Sequence, residues 1–129
     1  MKAIFERALH RLTLIPRTGA PLQFEARNNV DSKARGPWPE GTYQADILVP
    51  VHGPDGEEGG TYGPWFLRFI VGARTGMGLH AGRAGDQDGL GREGPAHATK
   101  GCIRTTAEAM RALAAVVDEE GNLPDLWVC

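Results

Sequence analysis

The sequence predicts a mainly β fold, a β-sandwich or sheet core with one late α-helix packed on it, and three observations carry that reading. Its 129 residues include 18 glycines and nine prolines, a composition of turns rather than of long helices. Several short runs alternate apolar and polar residues with a period of two. Only one stretch, after residue 105, spaces its apolar side chains as a helix does. The length suits one domain, taken as 1–129.

From the start of the chain, "HRLTLI" (10–15) and "PLQFEA" (21–26) alternate on either side of "PRTGA", whose Pro16 and Gly19 suit a tight connection, so a β-hairpin is expected. The stretch 27–41, dense in Asn, Asp, Gly and Pro, is expected as a surface loop. "GTYQADILVPV" follows, with Tyr43, Ala45, Ile47 and Val49 forming one half-buried face of a strand that Pro50 ends. An acidic, turn-rich loop (52–63) leads to "PWFLRFIVG" (64–72), a nearly continuous apolar run expected as a central strand. "GMGLHAG" (76–82) is a short glycine-rich strand, and 83–98 reads as a long exposed loop of the kind that often carries function. Thr105 with Glu108 fits a capping box that opens a helix, Ala109, Met110, Leu113, Val116 and Val117 form its apolar stripe, and Gly121 stops it. "LPDLWVC" (123–129) is expected as a last strand at a sheet edge. Trp38, Trp65 and Trp127 read as core or rim packing.

Composition narrows function. A formal net charge of −2 gives no electrostatic footprint for nucleic acid, and no basic run supplies one. No stretch approaches the roughly 18 apolar residues of a membrane span. Glu6, Arg7, His10 and Arg11 interrupt what would be the apolar part of a secretory signal, so a protein acting outside the cytoplasm would need another export route or a leader missing from this chain. Two cysteines, Cys102 and Cys129, allow one disulfide at most.

Chemistry concentrates in "HATKGCIRTT" (97–106), where Cys102 lies at the junction of an extended segment and a helix start. If 100–104 is extended, Lys100, Cys102 and Arg104 share a face, and the flanking cations favour thiolate. Gly101 lets a carbonyl approach the backbone, and the N–H groups of Gly101 and Cys102 are candidate oxyanion donors, worth about 3 kcal/mol each. A cysteine nucleophile needs a base. His10 and His52 read as surface residues, whereas His80 sits on a strand that can aim it, with His97, five positions before Cys102, as its rival.

"GLHAG" followed by "TKGCIRTT" resembles the L,D-transpeptidase (YkuD-type) catalytic domain, with its strand-borne His-Gly and later Ser/Thr-His-Gly-Cys-hydrophobic-Arg/Asn. Thr99, Gly101, Cys102, Ile103 and Arg104 match the second motif and His80 the first, while "GPWPEGTYQADI" is similar to the family's Pro-x-Gly-Thr-aromatic segment. The likeness spans about 36–106. It departs at Lys100, which replaces a second histidine, and in the 21 residues between His80 and Cys102, which suggest an enlarged loop.

The resemblance implies attack by Cys102 on a stem tetrapeptide of peptidoglycan, a thioester, loss of terminal D-alanine, and resolution by an amine, water or a free D-amino acid. It casts His80 as the base, the carbonyl of Ala81 or Gly82 as what orients its ring, and Arg104 as either a carboxylate ligand or a loop anchor. Thr99, Lys100 and His97 fall to substrate binding, and no cofactor is implied. The variant without the second histidine is similar to L,D-transpeptidase-like effectors delivered by type VI secretion, whose partners include immunity proteins. Two other classes remain open: a non-catalytic cell-wall-binding module on the same fold, and a zinc site from His80, His97, Cys102 and Cys129 that no CxxC or HExxH spacing supports. "DQDGLGREG" lacks the register of a calcium loop.

Overall fold

A computed structural model of the chain describes residues 1–31 and 36–129; of the loop expected at 27–41, residues 32–35 lie outside the described residues. The hairpin forms as expected, with β2 (Arg11–Ile15) antiparallel to β3 (Leu22–Arg27). Leu12 and Leu14 are fully buried, whereas Leu22, at the hairpin's end, stays exposed. A strand that the sequence reading assigned to no element precedes them: β1 (Lys2–Glu6) turns Ala3 and Phe5 inward and pairs with β2.

The strand β4 (Gly41–Pro50) departs from its expected alternation. Its pairing with β5 (Trp65–Phe69) slips between Ala45 and Ile47, so one extra residue resets the parity. Ala45 and the downstream Leu48 pack against the core, while Ile47 and Val49 are 42% and 39% exposed. On the outer face Arg68 bonds Asp46 at 2.9 Å. As expected, β5 is a central strand, between β4 and β6 (Gly78–His80), with Leu67 and Phe69 buried.

The sheet closes. After β7 (Ile103–Thr105) and α1 (Ala107–Glu120), β8 (Asp125–Val128) runs parallel to β1 and antiparallel to β4. The order β1-β2-β3-β7-β6-β5-β4-β8 is thus an eight-strand closed barrel rather than a sandwich, and β8 is its closing strand rather than an edge. Closure pairs backbone groups that an edge would leave open, and side chains such as Leu12, Leu67, Leu126 and Val128 fill the interior.

The helix starts one residue later than expected. Thr105 is fully buried in β7 and donates its hydroxyl to Glu25 O at 2.7 Å, so Thr106 is the N-cap, accepting from Ala109 N at 3.1 Å. Gly121 ends the helix at φ 77°, its N–H donating to Val117 O. Ala109, Met110 and Leu113 are buried. Thr106→Ala is expected to cost about 1 kcal/mol, read as a lowered urea midpoint at unchanged m-value. No helix among the described residues is long and apolar enough to cross a membrane.

Candidate active site

The two short strands β6 and β7 lie side by side and parallel, Leu79 opposite Ile103 and His80 opposite Arg104. That pairing brings the two sequence motifs together across the 21 intervening residues. His80, at the end of β6, and Cys102, just before β7, both line a cavity of about 480 Å³ with His97, Lys100 and Arg104.

The turn carrying Cys102 is held from both ends. Thr99 Oγ1 donates to Cys102 O at 2.7 Å and accepts from Gly101 N at 3.3 Å. Gly101 O accepts from the buried indole N–H of Trp38 at 2.7 Å, and Asn28 Nδ2 donates to Cys102 O at 3.0 Å. Gly101 has φ 150°, so the segment turns here and the strand begins only at Ile103. The extended run expected through 100–104 is therefore broken, although Lys100, Cys102 and Arg104 all still border the cavity. The Lys100 side chain is 85% exposed and pairs with Asp31 at 3.2 Å, while Arg104 is buried. The thiol donates to Gly76 O at 3.5 Å, and no disulfide joins the cysteines. Cys129 sits apart, its backbone tied to Phe5 and Arg7 at the end of β8.

His80 is 3% exposed. Phe66, its direct neighbour across β5 and β6, stacks on the imidazole at 5.5 Å, and Tyr62 meets it edge-on at 5.1 Å. Nδ1 lies 2.7 Å from Ala81 O. A carbonyl only accepts, so Nδ1 carries the proton and Nε2 is the basic nitrogen. Burial first, then the positive charge of Arg104, pushes its pKa from 6.5 down to about 3, against the pull of the Ala81 bond and with a further push from Arg83. The imidazole is neutral near pH 7. Of the two carbonyls expected to orient the ring, Ala81 makes the contact. Gly82, at φ 100°, packs where a Cβ would lie 2.5 Å from Gly60 O.

Arg104 is the anchor of the site. Its Nε donates to Ala81 O (3.1 Å), Nη1 to His97 O (2.8 Å) and Ala98 O (2.9 Å), and Nη2 to Thr61 O (3.3 Å). Among the described residues no carboxylate lies within ion-pair distance of it. Burial and then Arg83 lower its pKa to about 10, and the charge of Cys102 works the other way, so guanidinium and thiolate favour each other. The guanidinium thus ties the carbonyl that orients His80 to the end of the 83–98 loop. His97 mirrors His80: its Nδ1 lies 2.8 Å from Ala98 O, a carbonyl Arg104 also holds.

The loop 83–98 is organised around Asp88, which sequence reading passed over. Its carboxylate accepts from the N–H groups of Leu90, Arg92 and Ala98 and from Arg92 Nε at 2.8 Å. Burial raises its pKa, but these donors together hold it well below the usual carboxylate range. Among the described residues no cluster of His, Cys, Asp or Glu is gathered as a metal site. Tyr62, Asn28 and Arg83 also escaped sequence reading. Phe66 had a signal, as an apolar residue on the outward parity of β5, opposite to Leu67 and Phe69.

The family model described as YkuD, L,D-transpeptidase catalytic domain, matches residues 4–122. Among curated proteins none matches the chain. Among solved structures the chain is similar to "Structure of Bdellovibrio bacteriovorus Bd1075", with a TM-score of 0.67 and 14% identity over 99% of this chain. The chain spans about half of that one, 47% of its length, and at such identity the likeness speaks for the fold alone.

Proposed function

Since the chain belongs to the YkuD family of L,D-transpeptidase catalytic domains, a family of peptidoglycan enzymes, we propose that it is a cysteine-dependent acyltransferase acting on stem tetrapeptides. One observation carries the reading: a cysteine and a neutral histidine of fixed tautomer line one cavity, with a buried guanidinium coupled to both.

At rest the imidazole is neutral and free to take a proton. As the thiol attacks, its proton passes to His80 Nε2 while sulfur bonds to the carbonyl carbon of the third, diamino acid residue. The oxyanion is met by the Cys102 N–H. Gly101 N–H is engaged by Thr99 Oγ1 at rest and turns to the oxyanion only by releasing that bond. Collapse breaks the C–N bond, and the departing D-alanine amine takes the proton from Nε2, leaving a Cys102 thioester. An acceptor amine, water or a free D-amino acid then gives a proton to Nε2 and attacks the thioester, and sulfur recovers that proton. Arg104 favours the thiolate through its charge and holds the Ala81 carbonyl that aims the base.

Lys100 supports catalysis over a binding-only role, because its pairing with Asp31 at the cavity's rim leaves the contacts of His80 and Arg104 intact. Residues 1–129 act as one catalytic unit on this reading, with the cell wall or periplasm as the site of action; export by type VI secretion with an immunity partner is its companion proposal.

The test is mass spectrometry of tetrapeptide muropeptides incubated with the protein and with Cys102→Ala. Cysteine-dependent loss or exchange of the terminal alanine, or new cross-links, is the expected result. Unchanged muropeptides with folded, reduced protein, together with binding to intact wall material, would move the assignment to the binding module.

A further inference from the structure

We propose that Arg83 binds the terminal α-carboxylate of the donor stem peptide, the carboxylate of the amino acid that leaves when Cys102 is acylated. This rests on the acyl-transfer reading above and adds a subsite to it. Two unfavourable features meet at this one residue. Arg83 is one of two non-glycine residues among the described ones with positive φ, at 61°, a conformation that side chains other than Gly, Asn and Asp seldom adopt. Its Nε is buried and donates to nothing, the only such side-chain nitrogen or oxygen among the described residues. Features of this kind gather at active sites and ligand clamps.

The guanidinium borders the cavity that holds Cys102 and His80. Its Nη1 is committed to Asp86 at 2.6 Å, but Nη2 reaches only Thr61 Oγ1, at 3.4 Å. The Nε–Nη2 edge is therefore the underused one, and that edge is the fork which pairs with both oxygens of a carboxylate. A carboxylate that displaces the Thr61 hydroxyl satisfies Nη2 and Nε together. Position selects which carboxylate. Arg83 follows His80 by three residues and acts on its charge, and in the leaving amino acid the carboxylate shares a carbon with the amine that takes the proton from His80. Seating it on Arg83 also offsets a cation that holds His80 down, so binding strengthens the base. The subsite favours a free carboxylate directly after the scissile bond.

The test uses the tetrapeptide L-Ala-γ-D-Glu-diaminopimelyl-D-Ala and its C-terminal carboxamide, with binding measured by calorimetry on Cys102→Ala protein and kcat/KM on the intact enzyme. The expected preference for the carboxylate is about 50-fold, and Arg83→Gln removes it by weakening the carboxylate alone. Arg83→Lys keeps the charge without the fork and recovers part of it. Arg83→Gly, freed of the left-handed penalty, is expected to unfold no earlier than the parent and to show no preference. A preference that survives in the Gln and Gly variants, no preference in the parent, or equal losses on both peptides would overturn the assignment. Protein that leaves muropeptides untouched yet prefers the carboxylate in binding supports the subsite while sinking the acyl-transfer reading.

Discussion

A His80→Gln variant is expected to lose about four orders of magnitude in turnover and, in the same protein, to become less sensitive to acid. Glutamine can still donate to Ala81 O and sit between Phe66 and Tyr62, but it carries no proton between thiol and amine. The acid effect comes from linkage. In the unfolded chain the imidazole titrates near 6.5, and in the fold at about 3. Between those values the unfolded state binds a proton that the folded state refuses, so stability is full above pH 6.5 and falls as the pH drops towards 3. The slope is about 1.4 kcal/mol per pH unit. The low-lying carboxylates Asp46, Asp88 and Glu120 add their losses only below their ordinary values of 3.8 to 4.5. Urea midpoints between pH 4.5 and 7 therefore report on His80, and the variant's curve should be flatter by one proton. Parallel curves would show that the imidazole is not held neutral by the fold.

Removing Arg104 is expected to have the largest effect on stability. Arg104→Met keeps much of the stem's volume but strips donors from four backbone carbonyls, at Ala81, His97, Ala98 and Thr61, around a side chain that is 3% exposed. A loss of about 3–5 kcal/mol follows from leaving such acceptors without partners. The opening should be local first, with faster hydrogen exchange in 83–98, because Arg104 joins that loop to β6. Arg104→Lys offers three donors from one point in place of a planar fork and should recover only part. If Arg104 served instead to bind a substrate carboxylate, Arg104→Met would raise KM and leave thermal stability near that of the parent.

Much of the candidate site was legible because its signals are local. Gly-Cys-Ile-Arg before a helix start, and a histidine closing a short glycine-rich strand, are spelled out in a few adjacent residues, and the parallel pairing of β6 with β7 sets them in neighbouring register. The helix shifted by one residue because Thr105 and Thr106 offer the same hydroxyl. What chose between them was a partner 80 residues away, Glu25 O, which claimed Thr105 for the sheet. The extended run expected through Lys100, Cys102 and Arg104 failed for a related reason, since Trp38 and Asn28 pin Gly101 and Cys102 in a turn where a strand would have continued.

Hydrophobic periodicity and turn chemistry by themselves determined a mostly β chain with one helix, the hairpin and the central strand, and local motifs marked the candidate site. Tertiary structure alone decided that the sheet closes, that a bulge reverses the outer half of β4, and that Arg104 faces four carbonyls and Arg83 lies strained beside the cavity. Periodicity acts between neighbours in the chain and is written in their spacing. Closure, register and the pairing of buried donors depend on which distant backbones meet, and that is settled by the free energy of the whole packed arrangement.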